Sequence, residues 1–171
     1  MSQELVTYIV LGSKSRLASL KKFKVDANEE CIFLNFNEYS SIVKTLDQVI
    51  ADSKGSLIVL LPPSTVPKKH NRKTLKKMGM INYPVWGWFN SPKHDEKFIS
   101  SLKKINTYIR NTPTIDQGIY FTKDLYYSIG GIGHFQSDYF IEISKRLSSR
   151  LDPQAPLSPL TFRSSSRVSL L

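Results

Sequence analysis

The chain has 171 residues, 40% hydrophobic and 22% charged. These are the proportions of a folded domain, and the length suits a single domain with a sizeable core. A net charge of +10 favours anionic partners such as nucleotides, nucleic acid or acidic lipid, and the lone cysteine excludes an intramolecular disulfide or a cysteine-based metal cluster.

Residues 5–11 (LVTYIVL) read as a buried strand, being rich in β-branched and aromatic side chains. Gly12-Ser13 breaks it, and residues 15–23 form a short basic helix with Leu17 and Leu20 inward. Residues 31–36 are a second buried strand, with Cys31 as a small buried hydrophobe. Asn37 can cap a helix over 38–52, where Tyr39, Ile42, Val43, Leu46, Val49 and Ile50 recur at helical spacing. Residues 57–61 (LIVLL) are apolar throughout, as in a strand covered on both faces. This β-α-β-α-β order with short connections predicts a parallel sheet of α/β type, Rossmann-like in its start, with helices on both faces. Ligands in such sheets bind beyond the carboxyl ends of the strands, so the loops at 12–14, 35–38 and 62–67 matter most.

Residues 68–77 (KKHNRKTLKK) are densely basic and predicted helical, with Leu75 and Met78 inward. The plain reading of this run is a solvated helix face or a patch for an acidic membrane surface. Residues 85–89 (VWGWF) read as a strand with Trp86 and Trp88 on one side, either as core or as sugar platforms. Amphipathic helices follow over 96–110 and 138–150, the second with Phe140, Ile143 and Leu147 inward. Residues 1–153 thus make the domain, and 154–171 form a tail with one edge strand near 160–162 and mobile last residues. No apolar run is long enough to span a bilayer, and residues 5–11 lack the basic leader of a secretory signal. The expected location is the cytoplasm, or the inner face of a membrane.

Phosphate-loop, dinucleotide, nucleophile-elbow and zinc-protease motifs are absent, and His70, His94 and His134 share no helix-spaced pair. The most organised stretch is 115–131 (IDQGIYFTKDLYYSIGG). Asp116 and Gln117 lead through Gly118 into the short strand 119–121. Thr122 caps a brief helix over 123–129, and Gly130-Gly131 ends it. Read alone, this is a strand–turn–helix connector.

The D-Q-G…G-G pattern of this stretch resembles a block in family 2-like, GT-A-type glycosyltransferases. A second stretch, 55–65 (GSLIVLLPPST), matches without a gap the family's strand leading into its D-x-D-like metal loop. The resemblance covers roughly residues 5–167 and implies a compressed, minimal GT-A-like fold with a mostly parallel sheet. It further implies a protein that binds a nucleotide-diphospho-sugar and transfers the sugar to an unknown acceptor hydroxyl with inversion. Ser64 stands at the metal-binding aspartate, so the implied Mn or Mg ion loses its carboxylate ligand. Ser64, Thr65 and the cations Lys68, Lys69, Arg72 or Lys73 then become the implied pyrophosphate contacts, with Asn35 or Asn37 near the base and ribose. Asp116, Gln117, Trp86 and Trp88 fall on the acceptor and sugar side. Asp138 matches the base that deprotonates the acceptor, or serves as a helix N-cap; Ser137 replaces the family's preceding glutamate. Two other readings stand beside this one. One is a catalytically degenerate binding or scaffold protein on the same fold. The other is a polyanion or nucleic-acid binder, which rests on charge alone.

Overall fold

The computed structural model describes residues 5–18, 20, 24–35, 39–81, 83–91, 112–133 and 139–162. The predicted helix over 96–110, the Asn37 cap, His94, His134 and Asp138 lie outside them.

The first three strands are β1 (Val6–Gly12), β2 (Glu29–Asn35) and β3 (Leu57–Leu61). β1 pairs in parallel with both of the others, as the β-α-β-α-β order predicts. Strands β5 (Trp86–Trp88) and β6 (Ile119–Thr122) complete a five-stranded sheet in the order β2-β1-β3-β6-β5. The sheet is mixed rather than mostly parallel, because β6 runs antiparallel to both β3 and β5. Gly118 stands at the entry to β6. Its φ of +65° turns the chain back, and a Cβ there would sit 3.0 Å from the Leu60 carbonyl oxygen. Glycine accepts both the angle and the approach, so β6 begins where β3 and β5 end.

Helices cover both faces. Helix α1 (Lys14–Ala18) follows β1, and helices α2 (Tyr39–Asp52), α3 (Lys69–Ile81), α4 (Lys123–Ser128) and α5 (Tyr139–Ser148) supply the rest. Alternation along the strands sorts the core into two layers. Ile9, Leu11, Ile58, Leu60 and Phe121 face Leu46 and Ile50 of α2 and Phe140, Ile143 and Leu147 of α5. Val6, Tyr8, Leu57, Val59 and Tyr120 face Leu75 of α3, with Cys31 partly buried at that layer's margin. Both faces of β3 are covered, which is why all five of its residues are apolar and buried.

Three local features explain the sequence further. Gly87 separates the two tryptophans because the Tyr120 hydroxyl lies over it; a Cβ there would come within 2.5 Å. Thr122 stands at the N-cap of α4 but makes no capping bond; its hydroxyl accepts the Val85 N–H instead. Helix α3 runs to Ile81, a turn beyond the predicted end, and Gly79 lets it settle on the Leu5 carbonyl oxygen.

The chain beyond 153 is tied down as far as Phe162. Gln154 and Leu157 donate backbone hydrogen bonds to Trp86 and Trp88 along the outer side of β5. β7 (Thr161–Phe162) pairs antiparallel with β4 (Thr65–Val66) in a separate two-stranded sheet, not at the edge of the main one. Asn71 of α3 donates to the Ser158 carbonyl at 2.7 Å and fastens the helix to this segment.

Candidate functional site

The parallel arrangement brings the ends of β1, β2 and β3 to one side of the molecule, and β6 starts there too. Four neighbouring strands spaced about 4.8 Å apart give this rim a span of about 14 Å. On it the sequence places Ser13 and Lys14, Asn35, Ser64, Lys68 and Lys69, and Asp116. Lys14, Asn35, Lys68 and Lys69 are exposed, while Ser13, Ser64 and Asp116 are half-buried. Ser64 adopts φ +63°, a left-handed conformation that lets the chain reverse after Pro63. The floor between the loops is closed over β1. Pro62 and Pro63 are buried, and a Cβ at Gly12 would lie 3.0 Å from Pro63 Cγ and 3.1 Å from Leu17 Cδ2. A ligand here would lie along the rim, not in a crevice opening into the sheet.

Several predicted site residues serve the fold instead. Thr65 is buried, donates its hydroxyl to the Pro62 carbonyl at 2.8 Å, and pairs with Phe162, so it is not a phosphate contact. Neither it nor Ser64 offers a carboxylate, and this loop does not fit a hard divalent cation. Among the described residues no three His, Cys, Asp or Glu side chains gather as a metal site. Trp86 and Trp88 are 0% and 3% exposed, with ring centroids 5.8 Å apart inside the α2–α5 layer, and Trp86 Nε1 donates to the Leu151 carbonyl at 2.7 Å. They are core, because an inward β5 face must fill the space between the sheet and α5. Gln117 is buried and satisfied on both sides. Its Oε1 accepts the Thr114 N–H at 2.8 Å, and its Nε2 donates to the Phe89 carbonyl at 3.1 Å. It latches the turn before β6 to the end of β5. Asp116 accepts a hydrogen bond from the Thr114 hydroxyl and keeps partial access to solvent.

Arg72 is the largest departure. It points away from the rim to Glu29, whose side chain is 0% exposed at the amino end of β2. The guanidinium holds both carboxylate oxygens of Glu29, lies 3.3 Å from Asp26 Oδ2 and donates to the Lys24 carbonyl. Tyr8 Oη, the Asp26 N–H and Lys76 Nζ, at 3.3 Å, complete the shell around Glu29. Burial alone would raise the pKa of Glu29. The Arg72 hydrogen bonds, the Asp26 N–H and the Arg72 and Lys76 charges outweigh it and hold the carboxyl below its ordinary range. This cluster was not read from the sequence. Its one signal is the acidic pair Glu29-Glu30 ahead of the apolar run 31–34, with register deciding that Glu29 faces inward.

A cleft of about 250 Å³ opens at the opposite end of the sheet, lined among others by Lys54, Ser56, Tyr83, Thr122, Lys123 and Tyr127. Lys123 Nζ donates to the Ala51 and Ser53 carbonyls at the end of α2, and burial lowers its pKa against the pull of nearby carboxylates. Ser56 Oγ donates to the Gly79 carbonyl at 3.0 Å. No protein-family model matches the chain, and neither does any curated protein or solved structure.

Proposed function

We propose that this chain is a reduced, GT-A-like glycosyltransferase-type protein. It binds a nucleotide-diphospho-sugar along the carboxyl-end rim, with Lys68 and Lys69 meeting the pyrophosphate in place of a metal. The observation that supports this reading is the parallel register of β1, β2 and β3, which brings Asn35 and the start of the loop bearing Ser64 to the end of the sheet at which Asp116 precedes β6. Lys69 opens α3 and Lys68 precedes it, both are exposed, and among the described residues neither has an ion pair of the kind that engages Arg72. Asp138 is the proposed acceptor base.

A second reading, a binding or scaffold protein without transfer, is favoured by a specific observation. Arg72, Thr65, Gln117, Trp86 and Trp88 are committed to packing and internal hydrogen bonds. Calorimetry with UDP-, GDP- and dTDP-sugars, with and without Mn²⁺, separates the two. Metal-independent binding that weakens with salt and is lost in Lys68→Ala/Lys69→Ala supports the first reading. Asp138→Asn should then abolish transfer and spare affinity. Absence of binding to every donor leaves the scaffold reading.

A further inference from the structure

Helix α3 has two cationic faces with different partners. Arg72 and Lys76 turn inward to Asp26 and Glu29. Lys73 and Lys77 stand about 100° further round the helix, exposed, and among the described residues no carboxylate pairs with either. At 100° per residue, Met80 continues the same stripe one turn on. Met80 is 68% exposed and Ile81 71%. Tyr83 follows at 62%, and across the cleft it shares with Lys54 and Lys123 stands Tyr127 at 50%. Among the described residues the exposed large apolar side chains are Val25, Met80, Ile81, Tyr83 and Tyr127, and the last four gather at this one end. Solvent gives no reason for Met80 and Ile81 to project from the end of a lysine stripe.

We propose that the outer stripe of α3, with Met80, Ile81, Tyr83 and Tyr127 at its end, docks on an anionic phospholipid bilayer. The lysines supply the attraction to acidic headgroups. The aliphatic tip enters the boundary between headgroups and acyl chains, and the tyrosines lie at the interface with ring buried and hydroxyl wet. A nucleic acid would complement the lysines but not Met80 and Ile81, which is why the bilayer is the better match. Among the described residues no helix is long and apolar enough to cross a membrane, so the association is peripheral. This proposal does not depend on the nucleotide-sugar reading, since it uses none of the rim residues.

The test is co-sedimentation of the full chain with phosphatidylcholine vesicles, with and without about 30% phosphatidylserine. Binding is expected only with the acidic lipid, and it should fall as salt shortens the screening length from about 10 Å to about 3 Å. Lys73→Gln/Lys77→Gln should weaken it about 30-fold, each lysine contributing about fivefold. Met80→Ser/Ile81→Ser should weaken it at least about tenfold through lost apolar burial. All four positions are exposed, so thermal unfolding should match the parent, and Tyr83→Ser provides an independent third variant. No binding to acidic vesicles would overturn the proposal. So would binding that ignores the Met80/Ile81 and Tyr83 changes, or an oligonucleotide bound with the same lysine dependence and no apolar dependence; the last result would assign the face to nucleic acid.

Discussion

Replacing Arg72 by Met tests whether this cation belongs to the fold or to a ligand. In the parent, the guanidinium binds both oxygens of a carboxylate whose side chain has no exposed surface. Removing one partner of a buried ion pair leaves the other charged and poorly solvated, which costs about 3–5 kcal/mol. Lys76 stays 3.3 Å from Glu29, and Tyr8 and the Asp26 N–H still donate, so the low end, about 3 kcal/mol, is expected. For a domain of this size that corresponds to a fall in Tm of about 6–12 °C, read by circular dichroism at neutral pH. Adding Glu29→Gln should recover part of the loss, because it removes the stranded charge and keeps an acceptor for the Tyr8 and Asp26 donors. The pH dependence follows from the depressed Glu29 pKa. The pair's stabilisation is present above the carboxyl's unfolded value, about 4.3, and disappears as pH falls through the lower folded value. Parent and Arg72→Met should therefore converge in stability under strongly acidic conditions. A variant that melts like the parent at neutral pH yet loses nucleotide-sugar affinity would refute this reasoning and return Arg72 to the ligand.

Gly79→Ala sets two effects against each other. Alanine should gain about 1 kcal/mol in helix propensity, but its Cβ would lie 2.7 Å from the Leu5 carbonyl oxygen, a backbone atom that cannot swing aside. Crowding of that kind costs about 1–3 kcal/mol, so denaturant unfolding should show a net loss, and a more stable variant would mean that α3 does not pack on Leu5 as described. Gln117→Ala removes the acceptor of the Thr114 N–H and the donor to the Phe89 carbonyl. Unfolding free energy should drop by about 1–3 kcal/mol with donor affinity unchanged in the folded protein; a selective loss of affinity at parental stability would place Gln117 in the site after all.

Much of the architecture was legible because it rests on periodicity. The unbroken apolar run 57–61 announced a strand covered on two sides, and β3 is that strand. The helical spacing of Leu46 and Ile50 or of Phe140, Ile143 and Leu147 marked faces that are buried. What periodicity does not carry is strand direction late in the chain. Trp86–Trp88 and Ile119–Thr122 look alike as apolar segments whether they run with β3 or against it. The antiparallel course of β6 shows only in its register against β3 and β5, and Gly118, with its positive φ and close approach to Leu60, is the residue that admits the chain to that strand.

The site was harder to read for a different reason. A polar residue in a loop can satisfy a ligand or its own backbone, and the sequence is the same in both cases. Gln117 beside Asp116 illustrates this: one is buried with its amide bonded to Thr114 and Phe89, the other half-open to water one position earlier. The run of lysines and arginine at 68–77 divides in the same way, because 100° of rotation per residue sends successive cations to different surroundings. Arg72 and Lys76 turn to buried Glu29, whereas Lys69, Lys73 and Lys77, spaced i, i+4 and i+8, share an exposed face, with Lys68 exposed just ahead of it. A single basic segment therefore cannot be assigned one role. Neutralising Arg72, or Lys73 and Lys77, should produce two separable losses, of stability and of bilayer binding, and a single shared loss would mean that the helix is not oriented as described.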